Sequence, residues 1–329
     1  MKNETYIIHL NEKYKEKSGE LFIHIKTIED FYIFLDENGI ENEQDITQKV
    51  AISYIVQKRE QYENINEIIG ILTDYAFFIQ NEILATEMVL LNDAWNVMNR
   101  MSELTKKHDL EVWRQVYEGV VMPKIGWTLD EMSNFSREIE KKMLAVVPRE
   151  QYEHIMCKNA HSWEPEWDGD WRKRFLEMKS VDRFIDSLNN EIIKSVEESC
   201  TKNELCFTQR VDDEAVEYAR SNPIYTRIGN KIHSKKIPFM INNYLRATDV
   251  KMKRYYYCHC AWTKNSILQA TGAVSHSFCH CSLGFDKKPF DVAFGQAISG
   301  RVIYTVKDEN CLACTFEFEI PEKIMEQFT

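Results

Sequence analysis

GRVIYTVKDENCLACTFEFEIP, residues 300–321, is the stretch on which the fold class turns. Val302, Tyr304 and Val306 fall on one side of an extended chain, and Leu312, Cys314, Phe316, Phe318 and Ile320 do the same after a polar turn at Asp308, Glu309 and Asn310. Side chains alternating with a period of two around such a turn predict a β-hairpin. Upstream, GNKIHSKKIPF (229–239) alternates in the same way after a Gly-Asn turn and predicts another strand. Between the two lies KPFDVAFGQAISG (288–300). There Pro289 suits a first helical turn, Phe290, Ala293, Phe294 and Ala297 make one apolar stripe, and Gly300 suits the C-terminal cap. The last third therefore reads as a cysteine-rich α+β unit.

Outward from it the period changes. The first 200 or so residues place apolar side chains at three- and four-residue spacing with little Gly or Pro, a helical pattern. Thr27 with Asp30 is expected to open a helix closed by Gly39. Asn64 with Glu67 opens a second, whose stripe is Ile68, Ile71, Leu72, Tyr75 and Phe78. Thr128 with Glu131 forms a capping box before a helix running to about Val146, ended by Pro148. VDRFIDSLNNEIIKSVEES (181–199) predicts one more amphipathic helix. The expected fold is α+β, with the N-terminal two-thirds mainly helical. The expected divisions are an acidic helical domain over 1–95, a helical domain over 96–210 and the α+β small-molecule-binding domain over 211–329.

A chain of 329 residues that is 44% apolar can build more than one core. The N-terminus lacks the apolar run of a signal peptide, and no segment reaches the about 18 apolar residues of a membrane span, so a cytoplasmic protein is expected. The net charge of −11 is concentrated at the front, where residues 1–95 carry 8 Lys and Arg against 18 Asp and Glu. That field repels phosphate backbones, so nucleic acid is not an expected partner; a small-molecule ligand is, and a homodimer is left open.

All nine cysteines lie at or after Cys157, and six fall between Cys258 and Cys314. YYYCHCAWTKNS (255–266) and SFCHCSLGF (277–285) each place a histidine between two cysteines. Four thiolates in two chelating pairs are the donor set of a tetrahedral zinc site, with iron not excluded, which makes Cys258, Cys260, Cys279 and Cys281 metal candidates. A reactive or redox thiol and plain packing are the alternatives. On a strand, sulfurs at i and i+2 share a face about 6.5 Å apart, so the loops must bend, and His259 and His280 would face away from the ion toward a ligand. Cys314 reads as a packed residue on an apolar strand face, Cys311 as an exposed turn residue, and Cys200 and Cys206 carry no assigned role.

Cys157 with His154 one helical turn away is a candidate nucleophile and base, with His161 nearby. Trp163, Trp167 and Trp171 recur at four-residue intervals among acids, but Pro165 and Gly169 make this a packed loop. His233 and Lys235 share a strand face and are candidates for meeting an anionic ligand.

The segments GNKIHSKKIP, YYYCHCAW, SFCHCSLGF, the Gly295 helix end and VIYTVKDENCLACTFEFEIP resemble a bacterial CHC…CHC cysteine-motif family. That family is akin to L-2-amino-thiazoline-4-carboxylic acid hydrolase-like proteins and to the four-vinyl-reductase small-molecule-binding domain. YEHIMCKNAHSW matches it at Met156 and Cys157, and the resemblance covers about residues 140 to 325. It implies an α+β domain enclosing an apolar pocket, with zinc beside it held by Cys279 or Cys281 and by Cys314. Ala261 and Trp262 replace the family's Pro-Arg pair, and Glu309, Asn310 and Cys311 stand where it has a Gly-Asp turn. The expected function is small-molecule binding or sensing with a thiolate-held metal. The alternatives are a cysteine-dependent hydrolase of a cyclic C–N or C–S substrate and a protein-interaction module using the acidic arm.

Overall fold

The computed structural model describes residues 4–13, 18–61, 65–124, 126–158, 167–270 and 272–328. Asn64, His161, Trp163 and Pro165 lie outside the described residues. The chain forms two compact units: residues 1–95 with 124–128 and 203–210, and residues 96–123 with 129–202 and 211–329. Both the mainly helical N-terminal part and the sheet-bearing C-terminal region make this an α+β protein.

The first unit contains α1 (Glu4–Lys13), α2 (Ser18–Glu37), α3 (Gln48–Arg59), α4 (Ile65–Phe78) and the start of α5 (Glu82–His108). Tyr6 packs on Tyr75 and Phe78, each ring 4.9 Å away, and Phe31 and Phe34 pack on Tyr54. Thr27 does not cap a helix: it is buried inside α2, because GELFIHIK continues the helical pattern ahead of it and Glu20 favours the positive end of the helix dipole. Gly39, with φ 72°, follows the helix end as expected. The stripe of α4 buries Ile68, Ile71, Leu72 and Tyr75. α4 stops at Phe78 because Gln80 turns with φ 55° and the Asn81 side chain accepts the Leu84 N–H at 2.8 Å, starting α5. A two-stranded ladder of β1 (Leu205–Cys206) and β2 (Gln209–Arg210) belongs to this unit and holds the buried Cys206.

The second unit begins with the rest of α5, then α6 (Leu110–Tyr117), α7 (Leu129–Val146), α8 (Arg149–Met156), α9 (Asp170–Met178), α10 (Val181–Lys202) and α11 (Asp213–Ser221). α7 and α10 coincide with the helices expected from the capping box and from VDRFIDSLNNEIIKSVEES. A hairpin of β3 (Tyr225–Ile228) and β4 (Lys231–Lys235) turns at Gly229, φ 62°. Next come α12 (Ile241–Arg246), α13 (Val250–Tyr257), α14 (His280–Phe294), β5 (Gly300–Tyr304), β6 (Thr315–Glu319) and α15 (Glu322–Phe328). The sheet order is β3-β4-β6-β5, antiparallel throughout, so the expected hairpin forms one edge strand, β5, and an inner strand, β6, of a larger sheet.

α14 starts nine residues earlier than Pro289 suggested, at His280, and Pro289 lies inside it. Its C-cap is Gly295 with φ 71°, not Gly300, which opens β5 where a Cβ would meet the Glu317 carbonyl oxygen at 3.1 Å. The helix packs its aromatic stripe on the sheet: Phe290 lies 5.0 Å from Tyr225 and 5.8 Å from both Phe184 and Phe318, ring centre to ring centre. Asp286, on the same helix, accepts from Ser234 at 2.8 Å and pairs with Lys236 at 3.0 Å, anchoring β4 to α14 through buried polar groups.

On the other side of the sheet Glu317 receives Lys231 at 2.7 Å and Arg301 at 2.9 Å. The hydrogen bond from Lys231 leads the groups that hold its carboxyl below the ordinary value of 4.5. A depressed carboxylate stabilises the fold above its unfolded value, and that contribution is lost as pH falls through the lower folded value. The Tm advantage of the wild type over Glu317→Gln should therefore be constant at neutral pH and shrink as pH falls below about 4.5 and on through the depressed folded value. A difference independent of pH would remove this role.

Candidate functional site

Both CHC segments sit at helix ends, and this decides where each sulfur points. α13 is started by Asp249, whose side chain accepts the Met252 N–H at 2.8 Å, and it ends at Cys258, where the backbone becomes extended. The chain then turns over Cys260–Lys264, closed by the Lys264 N–H on the Cys260 carbonyl at 2.9 Å. Trp262 is buried in that turn and its carbonyl accepts from Ser136 at 2.9 Å. The second segment ends a short 3₁₀ turn, His276–Cys279, and enters α14 directly. Glu140 receives Ser275, and Glu153 receives Ser277 at 2.6 Å, so α7 and α8 fix this turn.

Neither segment is a strand, so the expected sharing of a face by i and i+2 does not apply. Two positions apart on a helix are separated by about 200°. Cys279 lies within electrostatic reach of Cys314, Cys258 and Cys260, and both Cys279 and the buried Cys281 lie within reach of Tyr152. Cys314 enters from the residue before β6. Arg254 clamps the loop before it, donating to Val306 O at 2.7 Å and Lys307 O at 2.9 Å, and Tyr244 reaches Leu312 O at 3.2 Å.

Two ammonium groups lie among these sulfurs. Lys264 is wholly buried, donates to Cys258 O at 3.1 Å, and stands 4.7 Å from the Phe239 ring and 4.6 Å from that of Tyr255. Lys307 is buried and donates to Thr263 O at 2.5 Å. Burial pushes the Cys258 thiol up, yet Lys307, Lys264 and the Cys260 N–H together carry it below its ordinary value. The other thiols go the opposite way. Cys260 is raised by burial and by Cys258, although the Trp262 N–H and the Lys307 ammonium oppose the shift. Cys279 is raised well above the usual range by burial and Cys314. Cys314 is pushed up to about 12 by burial and Cys258, with the Val306 N–H opposing. Four thiols from three chain segments thus share one electrostatic neighbourhood, with backbone N–H donors and two cations supporting sulfur charge. Among the described residues, no three His, Cys, Asp or Glu donors are gathered as a ready-made metal cage.

The histidines divide. His259 is hydrogen-bonded to Ile237 O at 2.8 Å and lies edge-on to Phe239; burial and Lys236 push it down to about 3, a neutral packed imidazole. His280 contacts Ser277 O at 3.1 Å, lies 3.6 Å from Glu153, and opens into a cleft of about 760 Å³ on the second unit. His233 lies 3.6 Å from Glu317 on the open sheet face, and Lys235 donates to Asn222 at 3.2 Å, so this pair sits apart from both thiols and cleft.

Cys157 and His154 line the cleft, but the contact that their spacing allowed is not made as a hydrogen bond among the described residues. Burial pushes the Cys157 thiol up to about 11, and burial with Lys158 and His108 lowers His154. This pair is a poor nucleophile and base. Alkylation of Cys157 by iodoacetamide at pH 8, followed by peptide mapping, should run about a hundredfold slower than that of a free thiol. A fast phase at Cys157 near neutral pH would restore the nucleophile.

Sequence reasoning passed over Lys264 and Lys307. The signal was present: one lysine stands four residues past Cys260 and the other seven before Cys314, each in an otherwise apolar or thiol-rich segment. The chain matches no family model, no curated protein and no solved structure.

Proposed function

We propose that the second unit is a small-molecule-binding and sensing module whose thiol centre, Cys258, Cys260, Cys279 and Cys314, holds a soft divalent metal ion, zinc before iron. The observation that carries this reading is that those four thiols lie within electrostatic reach of one another and of buried Lys307, with buried Lys264 beside Cys258. A divalent ion with four thiolates has a net charge of −2, which a low-dielectric interior tolerates only when it is compensated; two ammonium groups supply that compensation. The N–H groups of Cys260, Trp262 and Val306 directed at sulfur suit thiolate better than thiol. Because the donors are not gathered beforehand, the ion would draw the side chains together and release their protons, so binding would be strongly pH-dependent.

The chain's part in sensing follows from the order Cys279-His280. Cys279 belongs to the thiol centre while its neighbour His280 lines the cleft, so ligand contacts and metal contacts meet at the first residues of α14. Nine unpaired cysteines suit a reducing compartment, and we place the protein in the cytoplasm on that ground. No helix among the described residues is long and apolar enough to cross a membrane. The hydrolase reading gains nothing here, because the cysteine in the cleft is the protonated Cys157.

Elemental analysis of protein purified under reducing conditions tests the centre. About one equivalent of zinc or iron per chain is expected. Protein that arrives metal-free and binds neither ion on reconstitution would sink the proposal.

A further inference from the structure

The cleft is walled by the end of α8, one side of α14, Arg100 and Leu104 of α5, and the segment leading into β5. We propose that it binds a small organic anion, whose acidic group is held by Lys287, Lys288 and Arg301 and whose apolar body lies against Trp167 and Ile298. This takes up the reading of the cleft as the ligand site and does not depend on the metal.

The charge of the wall is the first ground. Five basic side chains face it against the acids Glu150, Glu153 and Asp291, although the chain as a whole carries −11. A concave surface whose sign opposes that of the molecule concentrates ligands of the opposite charge. The second ground is how the basic groups are held. Lys287 and Asp291 are each 7% exposed and paired one helical turn apart. Asp291 uses its other oxygen to accept the Ile298 N–H at 2.8 Å, so that carboxylate is occupied on both sides. Among the described residues Lys287 has Asp291 as its hydrogen-bond partner, which leaves two of the three ammonium N–H groups for a ligand. Arg301 gives its Nε to Glu317 at 2.9 Å, which fixes the guanidinium plane while its terminal nitrogens remain at the cleft mouth. Lys288 stands 6.0 Å from the Trp171 ring. A buried ammonium, a braced guanidinium and a rim lysine on one wall form a receptor for a carboxylate, sulfonate or phosphate. Trp167, Leu104, Ala297 and Ile298 provide apolar surface, and about 760 Å³ accommodates one molecule of drug-like size.

The experiment titrates the full-length protein with the anionic fluorophore 8-anilinonaphthalene-1-sulfonate and with the neutral N-phenyl-1-naphthylamine. One saturable site is expected for the sulfonate, at least about tenfold tighter than for the neutral probe and weakened by salt. The double variant Lys288→Ala/Arg301→Ala removes only rim groups; it should lose at least about tenfold in sulfonate affinity while still melting cooperatively, its Tm lowered only by the lost Arg301–Glu317 contact. Lys287→Met should lose as much but removes a buried charge, so the rim variant decides if it unfolds. Equal affinity for both probes would overturn anion selection. Unchanged sulfonate affinity in the rim variant would place the probe elsewhere and overturn the site. No saturable binding of either probe would overturn the cleft as a ligand site altogether, a result distinct from the first two.

Discussion

Cys258→Ser is expected to reduce tightly bound metal from about one equivalent per chain to below about a tenth, whereas Cys281→Ser leaves it unchanged. Cys258 is the sulfur nearest in effect to both Lys264 and Lys307 and accepts the Cys260 N–H. A serine hydroxyl is a harder donor and stays protonated at neutral pH, so replacing this position removes the charge-stabilised ligand and breaks its chelate with Cys260. Cys281 is not among the groups that act most strongly on the Cys258, Cys260, Cys279 and Cys314 thiols. The contrast between two cysteines, each next to the histidine of its own CHC segment, separates a centre from mere cysteine richness. Lys307→Met should weaken metal binding by about ten- to a hundredfold while leaving the four sulfurs in place, as loss of a supporting group around a metal site does. Metal retained by Cys258→Ser, or lost equally from Cys281→Ser, would dissolve this ligand set.

The largest effect on stability is expected from Phe290→Ala. The side chain is wholly buried and touches rings from α10, β3, α14 and β6. Its removal leaves a cavity where helix and sheet meet, and the surrounding rings come from four rigid elements that cannot all close in, so a loss of about 3–5 kcal/mol is expected. Denaturant titration followed by circular dichroism measures it. A loss below about 1 kcal/mol would show that this part of the core collapses around the gap. Phe285→Ala, on the same helix but half exposed, should change little and serves as the internal control.

The helices and strands were legible where one strong local signal had no competitor. The capping box at Thr128, the stripe of α10 and the alternation in β4 and β6 each specify an element from neighbouring residues. Misreadings occurred where a local signal lost to a longer-range one. Pro289 marks a helix start in isolation, but SFCHCSLGFDKK can be helical ahead of it and its apolar residues have a sheet to pack against, so the missing N–H is tolerated. Thr27 reads as a cap only if the apolar residues ahead of it are ignored. The cysteine motif was legible as a cluster, but the pairing of sulfurs was not. Both Cys279 and Cys281 sit at a helix start and not on a strand, and Cys314, which the resemblance implied, lies within electrostatic reach of Cys279.

The amino-acid order by itself determined the α+β class, the acidic balance of the front, the position of the hairpin and the gathering of thiols in the last third, since periodicity, charge and composition are properties of neighbours along the chain. Which sulfurs meet, which lysines are sealed among them, and that Cys157 stays protonated beside a basic cleft were decided by the tertiary structure alone. The physical reason is that burial and the field at a side chain are sums over atoms brought close by folding, so a lysine in TKN and another in VKD carry no mark of their shared site until α13, α14 and the β5–β6 loop close around them.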